Sequence, residues 1–266
     1  MRQSDGRRIS RYKCMLCKKT YSSATDDPAY YQKKRRLNVE LKHLLASHMS
    51  LRRAAKILGV SRTTIARKLI FLGMTCRLEN EAFLKKYEGN VECIQLDELI
   101  TIEHTKCKPL SVLVIISKYD RKILSIEVSS MPAFGHLVHI ARKKYGYRPD
   151  LRKEGLVNAL QHIACVVNSN TIFQSDMHPY YPPIIKSLFP NNQHVCSKGI
   201  KSTVSGQGEL KRHERDPLFY INHTLAMLRA NINRLIRKTW CTTKDPARLR
   251  DHLAIYTAVH NQWLTA

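Results

Sequence analysis

Acidic side chains are scarce in this chain. Against 45 lysines and arginines stand 21 aspartates and glutamates in 266 residues, a formal charge of +24. Such a field selects for a polyanionic partner, with nucleic acid first and an anionic membrane surface a weaker second. Long apolar runs are missing as well. The longest, residues 110–116 (LSVLVII), is far too short to cross a bilayer. The opening MRQSDGRR has no apolar core of the kind a secretory signal needs. No internal repeat or low-complexity tract is present. A disulfide pattern is also lacking: the eight cysteines are scattered, and Cys93, Cys165 and Cys196 read as reduced, buried side chains. These absences leave a cytoplasmic chain that works on DNA or RNA.

What is present divides into three parts. Residues 1–36 form a polar, basic segment with one CxxC. Residues 37–76 read as helices, and residues 77–266 as an α/β domain with a helical insertion. Strands are expected at 91–97, 111–116, 122–128 and 171–176, with a further one near 194–197. Helices are expected at 39–48, 51–58, 62–72, 136–144, 153–167, 218–239 and 247–261, and a loop at 202–209. In the third part, strand, hairpin, strand, helices, strand, helix is the order of an RNase-H-like α/β domain. The expected fold class is therefore α/β, an RNase-H-like catalytic domain behind an all-α helix-turn-helix domain and a small CxxC segment.

The helix-turn-helix is the strongest local motif. Ser50 and Ser61 are placed to cap two helices, and Gly59 permits the turn between them. Val39, Leu41, Leu44 and Leu45 suit the inner face of a supporting helix. Ala54, Ala55, Ile57, Leu58, Val60, Ile65 and Leu69 supply the packing of the motif itself. Arg62, Thr63, Thr64, Arg67 and Lys68 are then left outward, where a second helix reads a major groove. The basic run Lys33, Lys34, Arg35 and Arg36 could follow phosphates or a minor groove beside it, or serve as a solvated linker.

Cys14 and Cys17, inside RYKCMLCKKTYS, have the spacing of one zinc knuckle. A closed zinc site takes four ligands, and no second CxxC is present. His43 and His48 are the nearest downstream candidates, poorly placed on one helix face, so a degenerate ribbon is the better reading and Zn2+ stays open.

Two aspartates carry the chemistry. The runs VECIQLD and TIFQSD end at Asp97 and Asp176, each at the edge of an apolar strand, where a carboxylate needs a partner. A divalent cation is the simplest partner for two converging carboxylates, and metal-assisted phosphodiester chemistry requires such a pair. Glu98 is expected on the opposite face from Asp97 and makes a poor third ligand. His178 stands close enough to Asp176 to touch a water or a phosphate. Farther on, Lys211, Arg212, Arg215, Arg229, Arg234, Arg237 and Lys238 give the C-terminal region a basic face.

Together, the CxxC segment, the helix-turn-helix, QLDE around Asp97, FQSDMHPYY around Asp176 and the block HTLAMLRANINRLIRKTWCTTKDPARLRDHL with YTAVHN give the chain a family likeness. It resembles bacterial insertion-sequence transposases of the DDE (RNase-H-like) superfamily over nearly its whole length. The resemblance implies Mg2+ or Mn2+ ions held by Asp, Asp and Glu, DNA cleavage and strand transfer, and binding to the terminal inverted repeats of an element and to target DNA. It also implies a homodimer or larger synaptic assembly, associated with a bacterial nucleoid. Asp97 would bridge the ions and Asp176 would hold one. Where the family places its glutamate, this chain reads Pro246-Ala247-Arg248-Leu249; Ala247 binds no metal, so this copy is expected to be catalytically impaired. Three explanations stay open: an engineered Glu→Ala replacement, natural inactivation, or a register in which Asp245 or Asp251 serves. The rival function is a non-catalytic DNA-binding regulator derived from a transposase. A structure-specific nuclease would not need the helix-turn-helix.

Overall fold

The computed structural model describes residues 8–87, 89–198, 216–236 and 240–264. A small hairpin pairs β1 (Arg11–Lys13) with β2 (Thr20–Ser22). The helices α1 (Leu37–Ala46), α2 (Leu51–Ile57) and α3 (Arg62–Lys85) follow. The antiparallel strands β3 (Cys93–Ile102), β4 (Pro109–Ser117) and β5 (Ile123–Ser130) come next, then α4 (Leu137–Tyr145) and α5 (Arg152–His162). The chain continues through β6 (Ile172–Ser175), α6 (Tyr181–Leu188), β7 (His194–Cys196), α7 (Phe219–Asn231) and α8 (Pro246–Trp263). One sheet holds five strands in the order β5-β4-β3-β6-β7, with β6 parallel to β3 and β7 parallel to β6.

Every residue of β4 is buried, as expected of a strand covered on both faces. One face turns Val112, Val114 and Ile116 toward Ile221, Leu225 and Leu228 of α7 and Leu249, Leu253 and Tyr256 of α8. The other turns Leu113 and Ile115 toward Leu156 and Leu160 of α5 and Ile185 of α6. The sheet is thus sandwiched between two helical layers.

The helical N-terminal part has its own core of Leu41, Leu45, Ala54, Ala55, Ile65, Leu69, Leu72 and Cys76, and Ile255 of α8 joins it. Ser50 accepts a hydrogen bond from the Arg53 N–H at 3.3 Å and Ser61 one from the Thr64 N–H at 3.2 Å, so both helices start where the serines stand. Gly59, at φ +60°, makes the turn in the left-handed region.

Several expectations are corrected. The first sheet strand runs on to Ile102, so Asp97 lies inside it rather than at its end. The second helix of the helix-turn-helix continues to Lys85, and the boundary expected between residues 76 and 77 falls inside α3. That extension has a tertiary cause: α8 packs along it, burying Gly73 and Cys76. The helix expected over 218–239 stops at Asn231, and a short 3-10 turn follows at Asn233–Leu235. Val39 is 66% and Ile57 56% exposed, and Leu37 takes the inward position on α1 instead. Cys93 is buried, whereas Cys165 and Cys196 are exposed. The loop at 202–209 lies outside the described residues, as do Lys211, Arg212, Arg215, Arg237 and Lys238. Among the described residues, no helix is long and apolar enough to cross a membrane.

Candidate carboxylate site and nucleic-acid interface

The parallel pairing of β3 with β6 sets Gln95 opposite Gln174 and Leu96 opposite Ser175. One further step along that register brings Asp97 level with Asp176, on strands separated by about 4.8 Å. Side chains alternate along a strand, so each aspartate shares the face of the glutamine two residues before it. The glutamine side chains meet directly, Gln95 Nε2 donating to Gln174 Oε1 at 2.9 Å. Both aspartates are half-buried. Asp97 Oδ1 accepts from the Glu98 N–H at 2.7 Å, and Asp176 Oδ1 accepts from the His178 N–H at 3.0 Å. The two sequence-selected aspartates therefore directly follow the last paired residues of neighbouring parallel strands, at the carboxyl end of β6.

Helix α7 begins over the same face. Gln95 Oε1 accepts from the Ile221 N–H at 3.0 Å, and Gln95 Nε2 also donates to Pro217 O at 2.8 Å. This places Asp216 near the Gln95 end of the pair. Asp216 is 5% exposed, and its carboxylate accepts from the Leu218 N–H at 3.1 Å and from Asn222 Nδ2 at 2.7 Å. An acid directly before a proline at a helix start was its only signal in the sequence.

Glu98 turns to the opposite face, as expected. Its carboxylate accepts from Ser111 Oγ at 2.7 Å and from the Tyr180 hydroxyl. Burial holds its pKa above the usual carboxylate range, with Ser111 and the Arg152 guanidinium opposing that shift. His178 lies against the rings of Tyr180 and Tyr181, at centroid distances of 4.0 and 5.6 Å. Burial pushes its pKa down, and the Asp176 charge opposes. Burial, and then the charges of Glu98, Asp97 and Asp176, push the Tyr181 phenol up.

Position 247 is not set against this pair. The segment before α8 bridges Thr243 to Glu103, beyond the far end of β3. Arg250 then reaches Glu127 and Val128 on β5, two strands from β3. Among the sheet strands, α8 packs chiefly on β5. The two substitutes are also engaged elsewhere. Asp245 caps α8, accepting from the Ala247 N–H at 2.8 Å. Asp251 is buried between α3 and α8, paired with Arg77 at 2.5 Å and Arg248 at 2.9 Å. The expectation that residue 247, 245 or 251 completes the pair is not met by this geometry.

Hard carboxylate oxygens side by side suit Mg2+ or Mn2+. Among the described residues, no group of three or more His, Cys, Asp or Glu side chains converges to hold a metal. The donor set therefore fits as a two-carboxylate pair, with no third protein ligand from those residues.

The CxxC lies in the β1–β2 turn, where the Cys14 N–H donates to Lys19 O at 2.8 Å and the Lys18 N–H to Cys14 O at 3.0 Å. Hydrogen bonds from Cys17 and Leu16 lower the Cys14 pKa. His43 is engaged elsewhere, stacked on Trp263 at 5.8 Å, and the backbone N–H of His48 donates to Asn231 O. Two thiols do not fit a closed zinc site.

On the helix-turn-helix, Arg62, Thr63 and Arg67 are exposed. Thr64 is half-buried, its hydroxyl 2.9 Å from Ser61 Oγ. Lys68 corrects the reading: it is 3% exposed, and its ammonium donates to Asn38 Oδ1 at 2.6 Å and Gln32 Oε1 at 3.2 Å. It ties α1 and the segment before it to α3 instead of facing a groove. In the basic run, Lys33, Lys34 and Arg36 are exposed. Arg35 turns inward, 3.6 Å from Asp27 and 5.8 Å over the Tyr30 ring. Of the basic face expected in the C-terminal region, the described Arg229 and Arg234 are half-buried, and burial lowers the Arg234 pKa.

A cleft of about 870 Å³ adjoins the recognition helix, lined by Arg52, Arg53, Arg62, Arg234, Lys244 and Trp240. Its cations come from both the helix-turn-helix and the segment before α8.

No curated protein matches this chain. Among solved structures, it is similar to one described as "Crystal structure of a pre-cleavage Mos1 transpososome", at 13% identity, covering 84% of this chain and 77% of that chain, with a TM-score of 0.23. A family model described as a helix-turn-helix domain matches residues 39–71. Those residues are α1, α2 and the first part of α3, and they form a helix-turn-helix domain.

Proposed function

We propose that this chain is a DNA-binding transposase of the DDE type that cuts and joins strands at the Asp97–Asp176 pair. The register that sets the two carboxylates level on adjacent parallel strands carries the reading. The helix-turn-helix and the basic cleft beside it support a duplex partner. Arg62, Thr63 and Arg67 would face the major groove, and Arg52, Arg53 and Lys244 would meet phosphates in the cleft. The Glu98 and His178 N–H groups each hold one oxygen of an aspartate, which orients both carboxylates. When bound, Mg2+ or Mn2+ would lower the pKa of a hydroxyl nucleophile and stabilise the leaving oxygen. Pairing of two DNA ends would call for a homodimer or larger assembly.

The test is selection of bound sequences from random duplexes, followed by Mn2+-dependent nicking of the selected duplex by wild type, Asp97→Asn and Asp176→Asn. The expected outcome is binding by all three and nicking by wild type alone. Affinity should fall by about 10³-fold or more between 50 and 200 mM salt. Binding without nicking in any chain would favour the regulator; no duplex binding would overturn both readings.

A further inference from the structure

Between β5 and α5, residues 131–149 contain Arg142, Lys143, Lys144 and Arg148 and no carboxylate. With Cys107 and Lys108 just before β4 and Ser130 at the end of β5, this segment lines an open pocket of about 460 Å³. Two tyrosines line it. The Tyr145 ring is flanked by the ammonium groups of Lys108, at 4.8 Å, and Lys144, at 5.5 Å. Tyr147 is 81% exposed. Between the two rings, Gly146 takes φ +75° and ψ −164°, a conformation in effect reserved for glycine. That turn holds Tyr147 at the rim of the cavity. Arg148 is tied to Glu103 at 3.0 Å, while Arg142 is exposed.

A duplex does not enter a space this small, but a single nucleotide does. The wall supplies what an unstacked nucleotide needs: a π-face for the base and cations for its phosphates. Its position suits a strand end. Lys108 precedes Pro109, which pairs with Ile102, five positions along β3 from Asp97. That is about 17 Å at the rise of a strand, or roughly five nucleotide steps at duplex spacing.

We infer that this cavity binds an unpaired nucleotide of a DNA strand, its base stacked on Tyr147 and its phosphates on Lys108 and Arg142. The inference rests on the proposed function only for the choice of DNA as the polyanion. An acidic peptide would use the cations and leave the exposed phenol ring without a role.

Fluorescence anisotropy on the full chain tests it with three probes: a blunt duplex, the same duplex with a five-nucleotide overhang, and that overhang made of abasic sites. The abasic probe matches the charge and removes the π-faces. The natural overhang should bind about tenfold tighter than the abasic one. Tyr147→Ala should remove that preference and Tyr147→Phe retain it, with blunt-duplex affinity unchanged in both. Equal binding of natural and abasic overhangs, or an undiminished preference in Tyr147→Ala, would overturn the inference. So would equal displacement of both overhangs from wild type by an oligoglutamate peptide together with equal affinities for them. If the blunt duplex fails to bind while the overhang preference persists, the duplex reading falls and this inference stands.

Discussion

Gln95 and Gln174 are joined side chain to side chain at 2.9 Å, on the sheet face that carries Asp97 and Asp176 two residues farther along. Gln95 is fully buried and also holds the Ile221 N–H and Pro217 O, so a single amide ties β3, β6 and the start of α7. Gln95→Leu leaves the Ile221 N–H without its acceptor and Pro217 O without its donor. A cost of about 1–3 kcal/mol per stranded group is expected. Thermal unfolding should shift down by several degrees. An unchanged Tm would mean that the amide bridge does not hold these elements.

Gly73 of α3 meets Asp251 of α8 with no room to spare. A β-carbon at 73 would lie 2.6 Å from Asp251 Cβ and 2.8 Å from its Cα. Gly73→Ala should therefore cost about 1–3 kcal/mol through overpacking and loosen the helix-turn-helix from the sheet. Urea unfolding and limited proteolysis read the two effects. Wild-type stability in this variant would mean that α3 and α8 separate readily.

His252, buried on α8, donates from Nε2 to Leu45 O at 2.7 Å, and burial lowers its pKa to about 4. Unfolded, it titrates near 6.5. Below that pH the unfolded chain takes up a proton that the folded chain refuses, so stability is full above about 6.5 and falls as pH drops toward 4. The slope is about 1.4 kcal/mol per pH unit for this one group. Between pH 7 and 5, urea unfolding should show wild type losing about 2 kcal/mol more than His252→Gln. Equal losses in the two chains would rule out His252 as the source.

Ala247→Glu should leave Mn2+-dependent nicking unchanged, because the start of α8 lies against β5 and not against the aspartate pair. The comparison is nicking of one selected duplex by wild type and variant. A gain of tenfold or more would return position 247 to the site.

Features that depend on near neighbours are legible along the chain. Ser50, Gly59 and Ser61 mark the helix-turn-helix because capping and left-handed turns are local events. The charge of +24 is additive, and Asp97 and Asp176 stand out because a carboxylate beside an apolar run is visible in one dimension. Features that depend on distant partners arise with the fold. It set the two aspartates level, since strand register is fixed by hydrogen bonds between segments far apart in the chain. It turned Lys68 inward onto Asn38, extended α3 along α8, and carried Ala247 away from the site that its sequence context pointed to. Each of those outcomes belongs to a pair of residues that meet only after folding, and no pattern in one segment contains the other half of the pair.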